Sequence, residues 1–148
     1  MNNIEQLQQR ARAAALHAHA PYSQFRVGAA VLCRDGTVVE GCNIENASFG
    51  LTICAERVAL FSAVSKGLQP EALALSCIDA DVEGPKALHM PCGACRQVMQ
   101  ELMPSHAKIY IDSVGCLSLE ELLPQGFCLQ RHPPKRQSPT EPESHQTQ

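Results

Sequence analysis

The chain has 148 residues, a length that suits one domain, and 45% of them are hydrophobic, enough to bury a core. A net charge of -3 and the lack of a basic stripe argue against a nucleic-acid backbone as partner and favour a small molecule. No apolar run reaches the roughly 18 residues a membrane helix needs. Residues 1–20 also lack the apolar stretch of a secretory signal, so no membrane and a cytoplasmic location are expected.

Along the chain, residues 3–19 predict an amphipathic helix with Ile4, Leu7, Ala11, Ala14 and Ala18 on one face, Leu16 off it, and Pro21 as its stop. Residues 25–33 and 38–44 are β-rich runs around Asp35-Gly36, a hairpin signal. A polar loop with Gly50 covers 43–52. Residues 54–66 predict a helix that is apolar nearly all round, hence central, with Gly67 at its C-cap. A third strand is expected at 72–80. After Pro91, a helix at 92–103 puts Cys95, Val98, Met99 and Leu102 on one face, and Pro104 closes it. Residues 107–112 and 116–119 read as a fourth and a short fifth strand, followed by a helical turn at 120–123. From about residue 130 the chain is rich in Pro, Ser, Gln and His without apolar periodicity, which divides it into a domain at 1–129 and a disordered tail at 130–148. There is no internal repeat, and the alternation of helices and strands predicts an α/β layered domain.

Eight cysteines in a chain expected inside the cell point to metal binding or catalysis rather than to disulfides. Cys33, Cys42, Cys77, Cys116 and Cys128 read as small hydrophobes. The other three stand apart. Cys54-Ala55-Glu56 and Pro91-Cys92-Gly93-Ala94-Cys95-Arg96 each fall at a predicted helix start. If the two helices pack side by side, their N-termini aim three sulfurs at one point and favour the thiolate form. Three soft ligands and an open fourth position form the pattern of catalytic zinc. His89 is the candidate fourth ligand of a closed site, but Met90-Pro91 should carry it away as an ordinary loop residue.

Glu56 follows Cys54 by two residues, close enough to take the proton of a water whose pKa zinc lowers to about 7. On its own, a glutamate at a helix start need only complement the helix dipole. Three thiolates make such a metal electron-rich, and a guanidinium from Arg57, or less favourably Arg96, would offset that.

C-A-E paired with P-C-x-x-C resembles the zinc nucleoside deaminases, and most closely the short-chain, homotetrameric cytidine deaminases. The resemblance extends through Pro21-Tyr22-Ser23-Gln24-Phe25, Val27-Gly28-Ala29-Ala30, Gly41 to Ala47, Ile53 to Arg57, Pro91 to Met99 and Glu121-Leu122-Leu123-Pro124. It implies a three-layer α/β/α sandwich with a five-stranded mixed sheet. The implied reaction hydrolyses cytidine and deoxycytidine to uridine and deoxyuridine, with Glu56 moving protons to N3 and then to the departing amine.

By the same resemblance, Cys54, Cys92 and Cys95 hold Zn2+, Phe25 stacks on the pyrimidine, and Asn43 and Glu45 bind ribose hydroxyls. The Ala55 backbone holds the ring, and the Pro91 carbonyl receives the leaving ammonia. Tyr22, Phe49 and Phe127 reach sites shared between subunits of a homotetramer. Phe49 stands where many relatives have tyrosine, and the segment between the last two strands is short. Alternatives remain: a deaminase of another cytosine-like compound or a nucleotide, a polynucleotide editor, a zinc knuckle without activity, and a dithiol redox protein.

Overall fold

The structure, a computed structural model, describes residues 3–129; the tail expected from residue 130 lies outside them. Alternation along β1 (Val27–Cys33) sorts the layers, because neighbouring side chains of a strand point to opposite faces. Ala29, Val31 and Cys33 join one core cluster, and Ala30 joins another on the opposite face. β1 pairs antiparallel with β2 (Val38–Cys42) across the Asp35-Gly36 turn and, on its other side, with β3 (Pro70–Cys77). β3 runs parallel to β4 (Lys108–Ile111), which pairs antiparallel with β5 (Gly115–Ser118). The five-stranded mixed sheet therefore has the order β2-β1-β3-β4-β5.

Helix α1 (Asn3–Ala15) covers one face, packing Leu7 and Ala11 against Ala30 and Ala74. Helices α2 (Ala55–Ser65) and α3 (Gly93–Leu102) cover the other, with Ala59, Leu60, Ala63, Cys95 and Met99 in the larger cluster. This is the expected three-layer sandwich. α3 lies in the crossover that a parallel β3–β4 pair requires. The one-turn helix α4 (Leu119–Leu122) opens with a capping box in which Ser118 and Glu121 satisfy each other's backbone N–H.

Two glycines set how closely the helices approach. A Cβ on Gly28 would collide with Ala11 O and Ala15 N of α1. One on Gly41 would lie 2.5 Å from Ala59 N and 2.7 Å from Ala55 O, so β2 and α2 touch backbone to backbone. The second contact fixes the helix that starts at Cys54.

The element boundaries differ from expectation where side-chain or bridge contacts compete with the regular ladder. α1 ends at Ala15 rather than near residue 19. Residues 16–18 turn through i→i−3 bonds, and His19 pairs with the 43–45 segment, donating to Asn43 O at 3.0 Å and accepting from Glu45 N at 2.8 Å. β1 begins at Val27, two residues late, because Phe25 N and Arg26 N bond to Ser23 Oγ and Asp79 instead. β3 spans Pro70–Cys77 rather than 72–80, and the chain turns at once with Ala80 N donating to Cys77 O. Among the cysteines read as small hydrophobes, Cys33 and Cys77 are buried and Cys42 is partly so, but Cys116 and Cys128 are exposed. Cys116 lies on β5, an edge strand of the sheet among the described residues. Cys128 follows the last helical turn.

Candidate active site

Both α2 and α3 begin on a cysteine. Cys54 is the N-cap of α2 and Cys92 of α3, each with extended backbone, and neither sulfur makes the capping bond to the helix. Cys95, one turn into α3, is fully buried. The Cys54 and Cys92 sulfurs lie 3.8 Å apart and those of Cys92 and Cys95 3.5 Å apart, with all three inside 4.8 Å. Tetrahedral zinc with Zn–S near 2.3 Å spaces its sulfurs about 3.8 Å apart. Donor type and spacing thus both fit a zinc ion that keeps a fourth position open.

His89 lies apart from this cluster. It is buried in a 3-10 turn (Lys86–His89), where Nε2 donates to Asp81 O at 3.2 Å. The expectation of an ordinary loop residue needs that correction.

The electrostatics follow from the packing. A hydrogen bond from the Cys95 thiol holds Cys54 down to about 5 against its burial, helped by bonds from Arg57 and Cys92. The same bond to Cys54, followed by burial, holds Cys95 well above the ordinary thiol range. Arg57 Nη2 donates to the Cys54 sulfur at 3.4 Å, the contact expected of a charge-balancing guanidinium. Glu56 occupies the second position of α2 and is 3% exposed. Burial pushes its carboxyl up to about 7, as does the Cys54 charge, while its own backbone N–H and the Cys95 thiol oppose the rise. A glutamate that only complemented a helix dipole would face solvent.

A second group gathers beside the first. Asn43 Oδ1 accepts from Val27 N at 2.8 Å, and its Nδ2 donates to Phe25 O at 2.8 Å, so its carboxamide clamps the backbone on both sides of Arg26. Glu45 Oε1 accepts from Tyr22 N at 3.0 Å and Ser23 N at 3.2 Å. Ile44, between them, bonds to Ile53 in both directions, which joins this group to the residue before Cys54. Phe25 is half-buried, and Ala55 is fully buried at the Gly41 contact. Tyr22 and Phe49 meet edge to face with centroids 5.9 Å apart, and both are exposed. Phe127 is exposed too; its carbonyl accepts from Gln97 Nε2 of α3 at 2.9 Å.

Two features escaped the sequence reading. Arg96 does not touch the sulfurs in the bonds it makes: Nε donates to Pro91 O at 2.8 Å and Nη1 to Leu122 O at 2.7 Å. Both partners are carbonyls, which leave no mark in a side-chain pattern. Cys77, at the end of β3, has its thiol pushed up to about 12 by burial and then by the Glu56 charge. Burial thus keeps this thiol protonated and unreactive. Strand periodicity gave no sign of it.

Comparison with known proteins agrees with this arrangement. Residues 1–111 match the family model described as the cytidine and deoxycytidylate deaminase zinc-binding region. A cytidine deaminase of Halalkalibacterium halodurans is 49% identical over 114 residues, covering 74% of this chain and 83% of the relative. One from Mycobacterium tuberculosis strain H37Rv is 45% identical over 124 residues, covering 83% and 88%. Among solved structures, the cytidine deaminase of Burkholderia pseudomallei superposes with a TM-score of 0.76 at 43% identity, covering 86% of this chain and all of its own. Three cysteines spaced for zinc, a buried glutamate beside them and likeness at these identities give one conclusion: the chain belongs to the zinc-dependent cytidine and deoxycytidylate deaminase family.

Proposed function

We propose that this chain hydrolyses cytidine and deoxycytidine to uridine and deoxyuridine, releasing ammonia, with one zinc ion held by Cys54, Cys92 and Cys95. The observation that carries the proposal is the carboxyl of Glu56, 3% exposed and two residues past Cys54, one of three cysteines whose sulfurs lie within 4.8 Å of one another. A carboxyl shielded there from bulk water can both take a proton and return it. Bound zinc supplies Lewis acidity and a water activated at neutral pH. Glu56 would take both protons of that water in turn, giving the first to pyrimidine N3 as the oxygen adds to C4 and the second to the amine as the C4–N bond breaks, which leaves the C4 carbonyl and ammonia. Arg57 offsets the thiolate charge through its bond to Cys54.

Phe25 stacks on the base, the Ala55 backbone holds the ring, and Asn43 and Glu45 address the ribose hydroxyls. The hydrogen bonds of Asn43 and Glu45 to the 22–27 backbone support this reading, because they keep the residues around Phe25 in place. The acidic Glu45 would repel a phosphate on the sugar, which favours nucleoside over nucleotide. The proposed working unit is a cytoplasmic homotetramer acting in pyrimidine salvage, with Tyr22, Phe49 and Phe127 reaching into sites shared between subunits.

The test is ammonia release from cytidine, deoxycytidine, cytidine monophosphate and free cytosine by the zinc-loaded protein. Turnover of the two nucleosides well above the other two is the expected result. Preference for the nucleotide or the free base would overturn the substrate assignment. Inactivity on all four with zinc firmly bound would favour an interaction module.

A further inference from the structure

We propose that Arg96 is a positioning residue for this site, which fixes the Pro91–Cys92 peptide and thereby the direction of the Cys92 sulfur. The inference rests on the zinc reading above and deepens it. Of the three cysteines, Cys95 is buried, Cys54 is partly buried and Cys92 is exposed, so Cys92 has the fewest side-chain walls to hold it. Its sulfur makes no cap bond to α3, and a Cβ placed on the next residue, Gly93, would meet nothing within 4 Å. Beyond its contacts with the other two sulfurs, at 3.8 and 3.5 Å, its orientation comes from the backbone.

On the N-terminal side the Pro91 ring is fully buried, but that packing leaves its carbonyl in need of a hydrogen-bond partner. Pro91 has no N–H to donate, and its carbonyl lies one residue ahead of the N-cap, outside the bonding pattern of α3. Arg96 Nε supplies the missing partner at 2.8 Å. The same guanidinium is braced at its other end by Leu122 O at 2.7 Å, the last residue of α4. Leu122 is buried, and α4 is anchored by its capping box, so the brace has a fixed base. Planarity matters here. The guanidinium presents Nε and Nη1 in a rigid fork, whereas an ammonium on a flexible stem is a single point that cannot hold two carbonyls in set directions. Arg57 and Arg96 thus divide the work: one bonds to a sulfur, the other to the peptide that aims a sulfur.

The experiment compares Arg96→Lys and Arg96→Met with the parent chain. Three readouts are taken: the thiolate-to-metal absorption of the cobalt(II)-substituted protein, zinc loss to a chelator, and kcat and KM for cytidine. Both variants are expected to shift the cobalt spectrum and to lose about 10- to 100-fold in metal retention or kcat, with KM little changed. Lysine, which keeps the charge, is expected not to rescue. Parent-like behaviour of Arg96→Lys would overturn the proposal by showing that charge alone suffices. An unchanged spectrum and kcat in Arg96→Met would overturn it outright. Should Arg96→Met fail to fold, Arg96→Lys decides alone. The cobalt spectrum needs no substrate, so a parent chain inactive on cytidine would sink the functional reading while leaving this test intact.

Discussion

Burial and a neighbouring thiolate act on Glu56 in the same direction, and both come from its place two residues into α2. Replacing it with glutamine keeps the shape and removes the titration. Because Glu56 is outside the sulfur cluster, Glu56→Gln is expected to retain zinc while losing about 100- to 10,000-fold in turnover. Metal analysis beside an ammonia assay checks this, and near-parental activity in a zinc-loaded variant would mean that another group moves the protons. Such residues were legible in the sequence because their chemistry is rare and local. Cys54, Glu56, Cys92 and Cys95 sit at fixed offsets from two helix starts, and offset on a helix is geometry. Arg96 was legible only as a charge: its partner Leu122 O is 26 positions away, a distance only the tertiary fold closes.

Elements were legible wherever one period dominated, and their ends were not. The apolar face of α1 predicts a helix, but nothing in that face says that residues 16–18 will turn out of it and leave His19 to pair with 43–45. Pairing across the sheet likewise decides which glycine is structural. Gly41 must be glycine because α2 lies on it. Gly41→Ala should push α2 outward, cost about 1–3 kcal/mol and weaken zinc retention through Cys54. Gly50→Ala, where an added Cβ meets nothing within 4 Å, should do neither. Thermal melting and chelator competition separate the two, and equal behaviour of both variants would refute the close-packing argument. The ends of β1 and β3 are tied by a different force. Arg26 Nη2 and Nε bond to the two oxygens of Asp79 at 2.7 and 2.9 Å, and this holds the carboxyl down at about 2. An unfolded aspartate titrates near 3.9. Protonation is therefore favoured in the unfolded chain, so the pair's stabilisation is full above about pH 4 and is lost as pH falls towards 2. The difference in urea midpoint between the parent and Asp79→Asn should hold steady above pH 5 and close between pH 4 and 2. A gap that does not vary with pH would show that the ion pair contributes nothing through charge.

At the scale of the whole molecule the striped sheet and its two helical layers account for most apolar side chains, yet not for the aromatic ones. Of four phenylalanines, Phe49, Phe61 and Phe127 are 75%, 48% and 68% exposed, and Tyr22 is 53% exposed. Single exposed apolar residues need no explanation, but Tyr22 and Phe49 meet edge to face outside the core, and Leu51, two residues after Phe49, is 65% exposed. Such a patch is suited to an interface, where aromatics contribute packing and exclude water. Phe127 is held where it is by α3, the helix that carries Cys95, through Gln97. In the proposed tetramer the backbone of Phe127 is therefore tied to the helix of its own Cys95 while its ring covers a neighbour's base. The prediction that follows is complementation. Glu56→Gln has an intact Phe127 and no proton carrier; Phe127→Ala has an intact Glu56 and no cover. Each alone should be impaired, the first severely and the second mainly in KM, because a ring over the base contributes binding. After subunit exchange, mixed tetramers would pair a working Glu56 with a neighbour's Phe127, and part of the activity at low cytidine should return. Light scattering establishes the oligomer, and tagged subunits establish the exchange. A fully active monomer, or exchange without recovery, would mean that each site is complete within one chain.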